Sequence, residues 1–375
     1  MRRIYRVIAF ITMIAITVTF MSGCYDAIDI NKKHIVTAVI LDYKDGQVYF
    51  NVEIANIQGD SIDQNISGGE KYKYMTGKGD TIIASKEDLN RNLDRHLYLS
   101  AVRAIVFTEN FINEYIVEYL NRLRASEQYN KKVMIVTTRE DPKDLMDACI
   151  EKNSSIGFST EEMLTALQEQ GESYGRTTEE VIEKLSNEHA AILLPSIGIK
   201  NGINALVGYT VIGDDIVKGF IPADKAGADV LMNTQKAKSH YLIPYGEQEL
   251  SIEGNIKDFE IKPYYKNGEI SFKTECEIKA TLLYDDDKPE YSYDGSCYEE
   301  IEEALQKYVA EEIKEAVRVA QTEYECDYLH FDDAFRIKYP EVFKKLNWSQ
   351  EFKKAKIEVK ATVNFDSIWL MDYGS

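Results

Sequence analysis

The sequence predicts an α+β fold: an elongated multidomain protein that has a mixed α/β N-terminal region and a C-terminal domain of long antiparallel strands packed with a long helix. Helical and strand patterns alternate between residues 81 and 138, which is typical of parallel or mixed strand pairing with crossover helices. Further along, two long alternating segments flank Lys266-Asn267-Gly268, which favours a hairpin. An amphipathic stripe from Tyr298 to about Tyr324 then predicts one long helix.

The first elements are predicted to form a hairpin. The apolar segment 35–41 and the alternating segment 48–54 flank Asp45-Gly46, which indicates two antiparallel strands. Residues 58–79 contain five glycines among polar residues, so we interpret them as a surface loop. Ser85 is predicted to cap a helix that continues to about Leu97.

The alternating region is interpreted from its apolar periodicity and its capping residues. In chain order we expect a strand at 101–107, a helix at 110–124, a strand at 133–137, a helix that Asp141-Pro142 opens toward Cys149, helices capped at Thr160 and Thr177 that end near Gln170 and Asn187, and a strand at 192–197. Gly198 and Asn201-Gly202 mark the predicted boundary between an N-terminal region, 24–200, and a C-terminal domain, 201–375.

The C-terminal domain is predicted to be rich in strands. Its expected elements are a hairpin of 206–212 and 216–220, a short helix after Pro222, a strand at 239–245, long strands at 249–263 and 269–284, the long helix, a shorter helix at 331–339 and a closing strand at 357–365. Alternate residues of the second long strand are apolar and include Cys276, which we therefore expect on the buried face.

Residues 1–23 have the order of an export signal. Three arginines, an uncharged apolar run from Val7 to Met21 and the small pair Ser22-Gly23 follow one another. Cys24 comes next, at the position of the lipid acceptor in a bacterial lipoprotein signal. We therefore predict cleavage of a signal peptide, 1–23, and lipid attachment at Cys24. The alternative is an ordinary signal peptide or an N-terminal membrane anchor with an incidental cysteine.

The charge of the chain limits its partners. Removal of residues 1–23 from the 375 leaves 352 residues, and the loss of three arginines takes the formal charge from −19 to −22. Such a chain repels nucleic acid and anionic lipid headgroups, so nucleic-acid and polybasic lipid-binding functions are excluded, and the body is expected to stand off the bilayer. No later segment has 18 uninterrupted apolar residues, so the lipid is expected to provide the membrane attachment.

Motifs for catalysis or metal binding are missing from the sequence. It contains no HExxH, GxSxG, P-loop or GxGxxG, and its five histidines are scattered without ligand spacing. Acidic pairs such as Asp332-Asp333 are expected by chance among 63 carboxylates. Cysteines other than Cys24 are widely spaced without a CxxC, which favours buried free thiols over disulfides; they are Cys149, Cys276, Cys297 and Cys326. We therefore predict no catalytic residues, no cofactor and no metal.

Several segments resemble the Ger(x)C-type spore germination lipoproteins, the C subunits of the germinant receptors of spore-forming Bacillus and Clostridium relatives. Cys24-Tyr25-Asp26 with Asp29-Ile30 is similar to the family's Gly-Cys-Trp-Asp with a downstream Glu-Ile. Residues 331–340, followed by Trp348 and the closing strand, resemble the family's Phe-Gly-x-x-x-x-(Arg/Lys)-x-Tyr-Pro element, with Asp332 where glycine is frequent. Residues 207–209 and 217–220 resemble the hairpin that opens its C-terminal domain.

The resemblance implies a non-enzymatic subunit, lipid-anchored on the outer face of the spore inner membrane. Such a subunit assembles with a membrane-spanning A-type subunit and a transporter-like B-type subunit into a complex that responds to nutrients. Germinant recognition by the C subunit itself is not implied.

Two other classes of protein serve as alternatives. A substrate-binding lipoprotein of an ABC transporter requires two doubly wound lobes with a cleft between them, and residues 249–324 do not fit such a lobe. A surface hydrolase is opposed by the missing catalytic motifs.

Overall fold

The computed structural model describes residues 33–56, 71–126, 128–187, 190–234, 237–245, 248–283 and 295–365, together with Arg3 and Tyr5. Within these ranges the strands form two sheets, and helices pack against both. The predicted mixed α+β, multidomain class is therefore confirmed.

The first group of elements extends to residue 233. In chain order they are β1 (Lys33–Lys44), β2 (Gln47–Ala55), β3 (Tyr72–Gly79), α1 (Ile82–Arg91), β4 (His96–Tyr98), a 3₁₀ turn (Leu99–Ala101), β5 (Ala104–Thr108), α2 (Glu109–Ala125), β6 (Met134–Thr138), α3 (Pro142–Glu151), α4 (Ile156–Gln170), α5 (Thr178–Lys184), β7 (Ala191–Lys200), β8 (Ile203–Gly213), β9 (Ile216–Pro222), a second 3₁₀ turn (Ala223–Lys225) and α6 (Gly227–Asn233).

The second group builds the C-terminal sheet and its helical cover. In chain order they are β10 (Lys238–Tyr245), β11 (Gln248–Lys266), β12 (Glu269–Leu283), α7 (Gly295–Thr322), α8 (Phe331–Lys338), α9 (Pro340–Phe343), α10 (Trp348–Phe352) and β13 (Lys356–Phe365).

The first sheet contains nine of the described strands. Its order is β3-β2-β1-β5-β6-β7-β8-β9, and β4 pairs with β1. Strands β1, β4, β5 and β6 run parallel, whereas β2 is antiparallel to β1 and β8 is antiparallel to β7. Consequently the amino ends of the parallel strands lie at one edge of the sheet and their carboxyl ends at the other.

The second sheet has the order β10-β11-β12-β13. The turn between β11 and β12 contains Asn267 and Gly268 at φ of 53° and 86°, the left-handed conformation that a two-residue hairpin turn requires. Alternate residues of β12, Cys276 among them, are buried as predicted. Strand β13 pairs parallel to β12, so the sheet is mixed rather than wholly antiparallel.

Predictions around residues 72–97 are wrong at three points. Residues 58–70 of the predicted loop lie outside the described residues, but Tyr72–Gly79 is a strand that pairs with β2. The helix expected to continue to about Leu97 ends at Arg91, and His96–Tyr98 is β4. The glycines of β3 allow α1 to approach, because a Cβ at Gly77 would lie 2.1 Å from the carbonyl oxygen of Ser85. Ser85 is buried within α1, and the side chain of Thr81 caps that helix instead.

The cap predicted at Thr160 is also wrong. The side chain of Ser155 accepts a hydrogen bond from the backbone N–H of Phe158 and caps α4, whereas Thr160 is buried inside the helix. Asp141 and Thr177 do cap α3 and α5 as predicted, and Thr177 forms a capping box with Glu180.

The predicted boundary at residues 200 and 201 falls in the turn between β7 and β8. These strands pair along their length, and β9 continues the same sheet. Residues 203–222 therefore belong to the first sheet. A continuous hydrophobic core contains Leu193 and Tyr209 of the first sheet together with Phe272 of the second.

Candidate functional site

Cys24 lies outside the residues that the structure describes. Its lipid attachment, and the signal peptide before it, therefore stay predictions. Among the described residues no helix is both long enough and apolar enough to cross a membrane.

A buried ionic cluster joins α5, beside the first sheet, to α8, beside the second. The ammonium of Lys184 at the end of α5 lies 2.9 Å from both carboxylate oxygens of Asp332 and 2.9 Å from one oxygen of Asp333. Only 11% of the Lys184 side chain and 12% of the Asp332 side chain are exposed. Burial alone would lower the pKa of Lys184, but the two carboxylates outweigh it and raise that pKa. We call Lys184, Asp332 and Asp333, with His330, the junction cluster.

A second buried carboxylate supports the start of α8. Asp327 accepts hydrogen bonds from the backbone N–H groups of Phe331 and Asp332 at 3.2 and 2.7 Å, and from Nε1 of Trp348 at 2.9 Å. Burial, reinforced by the neighbouring charge of Asp332, raises the pKa of Asp327 to about 7. The same carboxylate thus accepts from the first turn of α8 and from the tryptophan that begins α10.

His330 ties α8 to α6. Its Nε2 lies 2.8 Å from Oδ1 of Asn233, which can only accept, so Nε2 carries a proton. Arg176 donates to the same amide oxygen at 2.9 Å. Burial, together with the nearby Lys184 and Arg176 cations, lowers the pKa of His330 against the opposing effect of Asp333.

The histidines are not all isolated from possible metal ligands, contrary to what the sequence suggests. His330, Asp332 and Asp333 offer ligand atoms that lie within 4.8 Å of one another. However, the Lys184 ammonium sits against both carboxylates and takes the position of a cation. We therefore interpret the junction cluster as an internal ion pair that positions two elements.

A cavity of about 660 Å³ lies beside the junction cluster. Lys131 and Arg176 line it from the first-sheet side, and His330 and Arg336 line it from α8. These basic side chains and the carboxylates of Glu179 and Glu183 line the same cavity. Its walls therefore bring the amino end of β6 close to α8.

A further buried carboxylate, Glu53 of β2, is fully enclosed. It accepts hydrogen bonds from the backbone N–H of Ile156 at 2.6 Å and of Gly157 at 3.3 Å, and from the hydroxyls of Thr37, Tyr74 and Ser155. The amino end of α4 is thus occupied by the side chain of Glu53, at the position where such helix ends often bind an external anion.

The free cysteines in the described residues are Cys149, Cys276 and Cys326, all buried. Burial raises the pKa of Cys149 to about 11 and the pKa values of Cys276 and Cys326 to about 12. These thiols are protonated at neutral pH, and the thiolate is the reactive form. The expectation of buried free thiols is confirmed for these three; the side chain of Cys297 lies outside the described residues.

The fold and these clusters define the class of protein as a two-sheet α+β protein. Its buried charged groups bond to one another and to helix ends. A family model described as "Spore germination protein N-terminal domain" matches residues 26–199, and one described as "Spore germination B3/ GerAC like, C-terminal" matches residues 207–368. The chain belongs to this family, the Ger(x)C-type spore germination proteins.

Individual relatives are distant but match along most of their length. Spore germination protein B3 of Bacillus subtilis (strain 168) is 20% identical over 376 residues, which covers 93% of this chain and 94% of the relative. Spore germination protein YndF of the same organism is 19% identical over 316 residues, with coverage of 79% and 75%. A crystal structure of the GerBC protein has a TM-score of 0.54 at 17% identity, covering 88% of this chain and 97% of its own. That likeness shows the fold.

The alternative of an ABC-transporter binding protein is not favoured. Its second lobe would be a doubly wound sheet, whereas the second sheet here is built from the long hairpin of β11 and β12 with β13 beside it.

Proposed function

We propose that the protein is the lipid-anchored, non-catalytic C subunit of a spore germinant receptor, needed for the nutrient-triggered germination response. The observation that carries the proposal is the cysteine that follows the apolar segment and Ser22-Gly23, at the head of a chain that belongs to the spore germination family. We place the subunit on the outer face of the spore inner membrane, with membrane-spanning A-type and B-type subunits as its partners.

A non-catalytic role is supported by the buried groups. In the part of the chain that the structure describes, Lys184 and the carboxylates of α8 pair with each other, Glu53 pairs with α4, and the free thiols are protonated. Groups engaged in this way hold elements in place, which suits a subunit that acts through assembly.

The anchor is tested by replacing its acceptor. Cys24→Ala should abolish incorporation of a clickable fatty acid and block cleavage of residues 1–23, since the thiol is the acylated atom. Cys149→Ser, which changes a buried thiol, is the matched control and should be labelled like the wild type. Equal labelling of the Cys24→Ala protein would contradict the anchor.

The receptor role is tested by deletion. Spores that lack this subunit should lose the response through its cognate receptor and keep the responses of other receptors. In the wild type, this subunit should co-purify with the A-type and B-type subunits. Normal nutrient germination without redundant receptors would overturn the receptor-subunit proposal.

A further inference from the structure

Basic residues collect at the amino ends of the parallel strands of the first sheet. Lys33 begins β1, Arg95 precedes β4, Arg103 precedes β5, and Lys131 and Lys132 precede β6. Because these strands are parallel, the five cations meet at one edge of the sheet, which we call the basic edge.

The opposite edge is acidic. The residues at the carboxyl ends of β1, β3, β5 and β6 include two cations and five carboxylates; they are Lys44, Asp45, Asp80, Glu109, Arg139, Glu140 and Asp141. Although the whole chain carries a formal charge of −19, the part of the first sheet from β3 to β6 therefore has opposite charges at its two ends. Asp214 and Asp215, in the turn between β8 and β9, lie on the same side of the sheet as the basic edge.

The cations of the basic edge are partly or fully exposed, and Arg95 pairs with Asp94 at 3.7 Å. Lys131 and Lys132 are exposed, and neither has a salt bridge within the described residues. Arg103, whose side chain is 46% exposed, lies 3.4 Å from Glu161. Lys33 lies over the ring of Tyr98 at 5.0 Å. Such side chains can present charge to an external surface without breaking a buried contact.

Helix α8 adds an apolar side chain beside this edge. Lys131 and Arg336 line the same cavity, so α8 adjoins the amino end of β6. Ile337 is 81% exposed, and the following Lys338 lies 4.9 Å from the ring centre of Tyr264. An exposed aliphatic side chain between basic residues is the composition that favours a lipid headgroup region.

The short distance between Cys24 and the start of β1 indicates that the basic edge would face the membrane. Eight residues lie between Cys24 and Lys33, and the nine Cα–Cα steps that join the two span at most about 30 Å. Because β1 begins at the basic edge, a lipid on Cys24 would hold that edge toward the bilayer. This step rests on the proposed anchor.

We propose that the basic edge, with Ile337 and Lys338, lies against an anionic lipid surface, and that the acidic edge faces away from it. Each Lys or Arg near such a surface strengthens the association by roughly fivefold. The attraction falls off within about 10 Å at moderate salt, so only the edge held near the bilayer contributes.

The test measures lysine reactivity of the acylated full-length chain on vesicles. Phosphatidylcholine vesicles are compared with vesicles that also contain phosphatidylglycerol, and modification by an amine-reactive ester is read at each lysine by mass spectrometry. Lys131, Lys132 and Lys338 should react several-fold more slowly on the anionic vesicles. Lys44 and Lys143, at the acidic edge and on α3, should not change, and about 1 M salt should remove the protection.

A pair of charge reversals sharpens the result. Lys131→Glu with Lys132→Glu should reduce the protection of Lys338 several-fold, whereas Lys44→Glu with Lys143→Glu should leave it unchanged. Equal protection on both kinds of vesicle, protection of Lys44 and Lys143 instead, or protection only when the membrane subunits are present would overturn the proposal. A chain that floats with phosphatidylcholine vesicles but shows no protection keeps its anchor, whereas a chain that floats with neither has lost the proposed function.

Discussion

Lys184 is the residue on which the contact between α5 and α8 depends most directly. Lys184→Met would leave the carboxylate of Asp332 buried without its cation, whereas Asp333 would keep its ion pair with Arg336. Removing one partner of a buried pair typically costs about 3–5 kcal/mol, so the free energy of unfolding in urea should fall by that order.

The matched control for this change is Lys143→Met. Lys143 also pairs with a carboxylate, Asp147, but its side chain is 73% exposed. A surface pair of this kind contributes about 1 kcal/mol or less. Similar losses for the two variants would show that the junction cluster is no more important than a surface ion pair.

Buried carboxyl groups give the protein a pH dependence. Burial raises the pKa of Asp327 to about 7 and that of Asp229 to about 6, above the unfolded value of about 3.9. Folding therefore favours their protonated forms. This stabilisation is fully present below about pH 4 and is lost as the pH rises through 6 and 7.

Asp327→Asn, which cannot ionise, should make the free energy of unfolding fall less steeply between about pH 5 and pH 8. The lowered pKa of His330 acts in the opposite direction in both proteins, so it does not account for a difference between them. The measurement is urea unfolding at several pH values. An unchanged slope would contradict the assignment to Asp327.

These residue-level contacts were not predictable from the sequence. Lys184 is 148 positions from Asp332, and Glu53 is 103 positions from Ile156. Among 63 carboxylates, no local pattern distinguishes one that is paired and buried from one that is solvated. Which carboxylates are buried and paired is decided by the packing of elements that are distant in sequence.

At the scale of elements, signals confined to a few neighbouring residues predicted well. Asn267-Gly268 fixed the β11–β12 turn, and Asp141 and Thr177 began their helices. Two local predictions were wrong, since Thr81 and Ser155 cap the helices that Ser85 and Thr160 were expected to cap. Another failure occurred where a distant element decides. Glycines suggested a loop at residues 72–79, yet there they allow α1 to pack on β3. Strand β8 pairs with β7 and β9 pairs with β8, so the first sheet continues past residues 200 and 201, and the domain boundary there stays a prediction.

The long helix α7 should be sensitive to a single substitution on its buried face. Ile313 is fully buried on its inner stripe, so Ile313→Asp would place an unpaired charge in the core and should cost several kcal/mol. The measurement is chemical unfolding together with the amount of folded protein. Lys314→Asp, at the neighbouring exposed position, should change stability by less than about 1 kcal/mol. Comparable effects of both changes would contradict the assigned face.

At the scale of the whole molecule, one core connects the two sheets. It includes Tyr174 and Leu193 with Ile252 and Phe331, so the two sheets share buried apolar contacts. Since the free thiols are buried and Lys184 takes the cation's position, neither a disulfide nor zinc is expected to support this core. Scanning calorimetry with reductant and chelator should give the same Tm as without them. A large drop in Tm would contradict this expectation.

Net charge describes this molecule incompletely. From −22 on the mature chain we expected repulsion from anionic headgroups, which treats the charges as evenly spread. The parallel strands separate them, with Lys131 and Lys132 at one edge and Glu140 and Asp141 at the other. Composition cannot report such a separation, because it depends on which ends of which strands meet.

The place of β1 in the first sheet has a mechanical consequence. β1 lies inside the sheet, with β2 on one side and β4 and β5 on the other. A pull through the segment before Lys33 is directed along this strand, so the hydrogen bonds to its neighbours are loaded together in shear and do not open one after another. The strand that follows the proposed anchor should therefore resist mechanical unfolding.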